Sequence, residues 1–108
     1  MFSIRGSESN EKWANEIMAD VFGTFNRAWE DIKQRNSEME RNALRWFEMA
    51  IEWVCKQGAG YIVSNRSNLE SYSLFQKFIE RNKEEIGLDY FEFKFAYGRF
   101  INKYANMD

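Results

Sequence analysis

The sequence predicts an all-α protein, a small antiparallel four-helix bundle-like domain, and three observations point there. Proline is absent from all 108 residues, which removes the strongest helix breaker. Apolar residues recur at intervals of three and four over most of the chain, the period of a helix with one buried face. Serine–glutamate pairs three residues apart, and single glycines, punctuate those stretches as helix starts and stops do.

The first helix is expected from about Asn10 to Lys33. There Ala14, Ile17, Met18, Val21, Phe22, Phe25, Ala28, Trp29 and Ile32 fall within an arc of roughly 140° at 100° per residue. Ser7, Ser9 and Asn10 precede it as candidate caps. The second helix, 38–57, opens on a capping box of Ser37 and Glu40, carries Lys56 in its last turn and stops at Gly58. Its apolar residues cover roughly 240°, so it needs neighbours on several sides and is expected at the centre. Residues 58–66 form a glycine-opened connection with a short extended piece at Tyr61–Ser64. A second capping box, Ser67 and Glu70, opens a helix at about 68–86 that ends at Gly87. The last segment aligns Tyr90, Phe93, Tyr97, Phe100, Ile101 and Tyr104 on one helical face behind an Asp89 cap. Its alternation of Phe91, Phe93, Phe95 and Tyr97 with other residues also fits a strand. The helix is preferred, because the three-four spacing runs longer than a strand and only Tyr61–Ser64 offers a pairing partner. Residues 1–108 are expected as one domain, with 1–8 a loosely ordered tail.

Composition excludes much chemistry. There is no histidine and one cysteine, Cys55, so neither the usual zinc, haem and di-iron ligand sets nor a Ser-His or Cys-His pair can be assembled. No catalytic residue, metal ligand or cofactor is therefore expected. A formal charge of −2 gives neither the basic stripe of a nucleic-acid binder nor the acidic excess of a DNA mimic. The start of the chain lacks an apolar signal core, and no uncharged run is long enough to cross a bilayer. With no disulfide within the chain, the expected setting is cytoplasmic.

Four local patterns resemble functional sites but have simpler structural accounts. Gly58-Ala-Gly60 follows a helix and is expected to precede no helix start, so it reads as a helix stop with a turn and not a phosphate loop. Glu48 and Glu52 are flanked by Arg45 and Lys56 and read as a solvated ion-pair stripe. Arg27, Lys33, Arg35, Arg41 and Arg45 cluster near the first interhelical turn, but Glu30, Asp31, Glu38 and Glu40 are interleaved and cancel them. Cys55 sits at the edge of an apolar arc as a small hydrophobe.

The remaining signal is aromatic: ten Phe, five Tyr and four Trp. Most are expected in the core, yet Phe91 and Phe95 project some 100–140° away from the inner face of their helix. They stand beside Gly98, where a missing side chain permits a close approach. Trp46, Met49 and Trp53 form a comparable shoulder on the central helix. These five residues are the expected partner-binding site, Phe91 and Phe95 first. The function expected is that of a non-enzymatic protein that binds and inhibits or neutralises a protein target. Phage-encoded anti-CRISPR or anti-defence inhibitors and toxin-immunity proteins are of that kind. The alternative is a helical adaptor or self-associating subunit, and below it a ligand-binding or catalytic bundle.

Overall fold

A computed structural model describes residues 2–6 and 8–105. Among these residues all regular structure is helical: α1 (Glu8–Ile17), α2 (Ala19–Ile32), α3 (Glu38–Gln57), α4 (Ala59–Ser64), α5 (Arg66–Leu69), α6 (Tyr72–Arg81), α7 (Lys83–Ile86), α8 (Tyr90–Ala96), a π-helical turn (Tyr97–Ile101) and α9 (Asn102–Ala105). The all-α expectation holds, and 90–97 resolves as helix, its Asp89 side chain accepting from the Glu92 amide at 3.1 Å.

The central helix is α3, as its wide apolar arc demands. Ser37 caps it, accepting from the Glu40 amide at 3.3 Å, and Gly58 ends it at φ 101°. α2, α4, α8 and the π turn pack around it. Phe47, fully buried, makes edge-to-face contacts with Phe25 at 5.7 Å, Tyr72 at 5.8 Å, Phe75 at 6.2 Å and Tyr97 at 5.6 Å. One ring thereby joins α2, α3, α6 and the π turn, at the separations aromatic pairs prefer.

Four expectations are corrected. The first helix is divided at Met18 (φ −84°, ψ 0°). Its hydrogen-bond ladder continues through Met18 N–H to Ala14 C=O at 3.0 Å and Phe22 N–H to Met18 C=O at 2.8 Å. The bend lets α1 lie on α4 while α2 lies on α3. Of the proposed caps, Ser9 and Asn10 fall inside α1 and Ser7 lies outside the described residues.

Tyr61–Ser64 is not extended but belongs to α4. With no strand to pair with among the described residues, its backbone polar groups are satisfied locally by the helix. Ala59 and Ile62 are buried.

The helix expected over 68–86 is three. Asn65 and Asn82 sit in near-identical bridge-region conformations (φ −110° and −108°). Each side-chain amide donates back four residues, to Tyr61 C=O at 2.9 Å and Phe78 C=O at 2.8 Å. Such local bonds compete with helix propagation. Ser67 is not a cap. Ser71 is, accepting from the Leu74 amide at 3.3 Å, because the Tyr72 amide is drawn off to Asp20 Oδ2 of α2 at 2.8 Å.

The tail expected to be loose over 1–8 is docked where it is described; Met1 and Ser7 lie outside the described residues. Phe2 stacks on Phe22 at 5.4 Å and meets Phe25 edge-on at 4.9 Å, Ile4 is buried, and Arg5 C=O accepts from the Ala59 amide. Gly6 (φ 148°) permits this, since a Cβ there would stand 2.7 Å from Ala59 Cβ.

Candidate functional site

The site is built by the C-terminal rod, α8 through α9. Phe93, Tyr97, Ile101 and Tyr104 turn inward and are buried. The hydrogen bond from Asn102 N–H to Tyr97 C=O spans five residues, so the π turn carries one residue more than an α turn and Ile101, not Phe100, follows Tyr97 into the core. Phe100 is displaced to the flank, half-buried, where it meets Phe95 edge-on at 5.5 Å. Tyr90, expected inside, is 39% exposed. The ammonium groups of Lys83 and Lys94 stand over its ring at 5.2 and 5.1 Å, an arrangement that cation–π attraction favours at the surface.

On the outward side Phe91 is 82% exposed and Phe95 46%. The N-terminal segment and α4, the pieces of chain able in principle to fold over them, are engaged with Phe22, Phe25 and α1. An added Cβ at Gly98 would meet nothing within 4 Å, so no described part of this chain uses that close approach.

The shoulder on α3 adjoins part of this surface. Trp46 and Met49, half-buried, line a groove of about 380 Å³ with Asn42, Arg45 and Glu92. A second groove of about 160 Å³, containing Met39, Ala43 and Phe95, shares Asn42 and Glu92 with it. Phe95, Trp46 and Met49 thus lie along one α3–α8 seam, with Phe91 standing beyond it on α8. Trp53 is diverted: it packs edge-on to Tyr61 of α4 at 6.2 Å and is half-buried against the core. Met39, 57% exposed, is a seam residue that sequence reasoning missed, although 39, 42, 46, 49 and 53 are spaced three, four, three, four along one helix face. Phe100 was missed because a helix period alone places it inside.

Nucleophile chemistry finds little support. Burial and the nearby Glu52 push the Cys55 thiol up to about 11, the reverse of the depressed pKa that a reactive thiolate needs. Burial raises the Tyr72 and Tyr97 hydroxyls as well. Among the described residues no group of three Cys, Asp or Glu side chains is placed to hold a metal ion, and no helix is long and apolar enough to cross a membrane. No family model, curated protein or solved structure matches this chain.

Proposed function

We propose that this protein is a non-enzymatic binding protein that covers a protein target with the aromatic face of α8. Toxin-immunity proteins and phage-encoded inhibitors of bacterial defence, anti-CRISPRs among them, exemplify the class. One observation carries the reading: a phenylalanine 82% exposed on an ordered helix, with a second one turn on at 46%. Leaving Phe91 in water forgoes most of the ~1.5–3 kcal/mol that full burial supplies, and Phe95 about half of it, and contiguous exposed apolar groups mark interaction sites. The adjoining seam of Phe95, Met39, Trp46 and Met49, with polar Asn42, Arg45 and Glu92 along it, has the mix of aromatic, Met and Arg residues enriched in interface cores.

The test is retention of a target from cell extract by the unaltered protein and by the double variant Phe91→Ala/Phe95→Ala. A specific target lost by the double variant, with an unchanged melting temperature, supports the proposal. A target held equally by both, or a melting temperature that falls sharply, overturns the site. Light scattering on the same samples separates the alternative, since a homo-oligomer dissolved by the two substitutions assigns the face to self-association.

A further inference from the structure

A second site lies on the other flank of α3, in a cleft of about 270 Å³ between α2 and α3. Buried Ile32 and Leu44 contribute apolar lining, Trp29, 43% exposed, adds an indole, and Lys33, Arg41 and Arg45 supply cations. Arg45 lines both this cleft and the α3–α8 groove, whereas Trp29 and Arg41 line no part of that groove.

Two of these three cations, Arg41 and Arg45, are not cancelled as their sequence neighbours suggest. Glu30 pairs with Lys33 at 3.0 Å. Asp31 and Glu40 both converge on Arg35, at 2.7 and 2.9 Å. Among the described residues no ion pair reaches Arg41 or Arg45. Each is instead held by one neutral bond, Arg41 Nη1 to Arg35 C=O and Arg45 Nη1 to Asn42 Oδ1, both 3.0 Å. A guanidinium has five donors in a planar fork, so each keeps free N–H groups beside the one bond that anchors it. Glu48 is the single carboxylate of the lining; with Lys33 paired to Glu30, the two arginines leave a net charge of +1 around an apolar cleft.

We infer that this cleft binds a small aromatic carboxylate, its ring against Trp29, Ile32 and Leu44 and its carboxylate on the free donors of Arg41 and Arg45. The pairing follows from the chemistry present: Arg forks match carboxylate geometry and stack with flat groups, and an apolar lining excludes a bare inorganic anion from most of the contact. The carboxylate has two natural sources, a free aromatic acid or the C-terminus of a peptide ending in an aromatic residue.

Titration of the isotopically labelled protein with 2-naphthoate, followed by nuclear magnetic resonance, tests it. Saturable shifts at the Trp29 indole and the Arg41 and Arg45 side chains are expected, with a Kd of about 1 mM or tighter. The neutral isostere 2-naphthalenemethanol should bind at least ~10-fold more weakly, and Arg41→Gln and Arg45→Gln should each weaken naphthoate by a similar factor. A parallel titration with glycyl-glycyl-tryptophan and its C-terminal amide distinguishes the sources: shifts from the free-carboxylate peptide and not its amide, alongside those from naphthoate, support the site and name a peptide terminus, whereas shifts from naphthoate only support it and name a free acid. Absence of saturable shifts with either acid, equal binding of the alcohol, or undiminished binding by both Gln variants overturns it. The acid–alcohol comparison uses the unaltered protein, so it stands even if a variant fails to fold.

Discussion

The Tyr104 hydroxyl donates to Asp31 Oδ2 at 2.7 Å, on the same oxygen that receives Arg35 Nη2 at 2.7 Å. This ties the end of the C-terminal rod to the end of α2. Arg27 Nε reinforces the junction from the other side, donating to Tyr104 C=O at 2.9 Å. Tyr104→Phe removes the hydroxyl while keeping the buried ring, and should cost about 1–2 kcal/mol in urea unfolding, towards the low end of the ~1.5–3 kcal/mol for a bond to a charged acceptor because Asp31 is partly exposed and also held by Arg35. A cost near zero would show that solvent satisfies Asp31 equally well.

Asp20 is the residue that decides where α6 begins. Asp20→Ala strands the Tyr72 amide, now bonded at 2.8 Å, and should destabilise by about 1–2 kcal/mol. Hydrogen exchange at Tyr72 should accelerate along with it. Unchanged exchange would mean that the Ser71 cap holds the start of α6 alone.

Gly6→Ala combines a φ of 148° with a Cβ 2.7 Å from Ala59 Cβ. The expected result is a loss of about 1–2 kcal/mol and release of Phe2 from Phe22 and Phe25. The same substitution at Gly98, where a Cβ meets nothing, should be near neutral or mildly stabilising.

Alkaline pH should weaken the fold. The Cys55 pKa rises from 9.0 to about 11 on folding, so between those values the unfolded chain has lost a proton that the folded chain keeps. Stability that is fully present below pH 9 therefore declines as pH rises towards 11. Tyr72 and Tyr97, also raised by burial, extend the decline further up the scale. Denaturant midpoints measured from pH 8 to 11 should fall, and Cys55→Ala should flatten the first part of the slope.

The Tyr97 hydroxyl is buried with no hydrogen-bond partner among the described residues. Tyr97→Phe removes a polar group whose burial costs about 1–3 kcal/mol when unpaired, and so should leave stability unchanged or raise it. A loss above about 1 kcal/mol would show that the hydroxyl has a bonded partner, such as an internal water.

Much of the helical layout is legible in the sequence because it rests on local chemistry. Ser37, Gly58, Gly87 and Asp89 act within a few residues of themselves, and each works where its residue type and spacing place it. The outward aim of Phe91 and Phe95 follows equally from a helix period counted from Phe93. Met39 was open to the same counting along the α3 face.

What only the tertiary structure decided depends on groups far apart in the chain. Ser67 and Ser71 are both competent caps, and the choice went to Ser71 because Asp20, 52 residues earlier, takes the Tyr72 amide. Phe100 moved to the edge of the inner face, half-buried against the core, because the rod adopts a π turn there, with Ile101 and Tyr104 fully seated in the core. The residues about the first interhelical turn read as cancelling along the chain. In three dimensions, two carboxylates converge on Arg35, and Arg41 and Arg45 keep free donors at a cleft. Sequence determines propensity, period and cap chemistry within a turn or two; which of several competent donors meets which acceptor depends on the packing that brings distant segments within 3 Å.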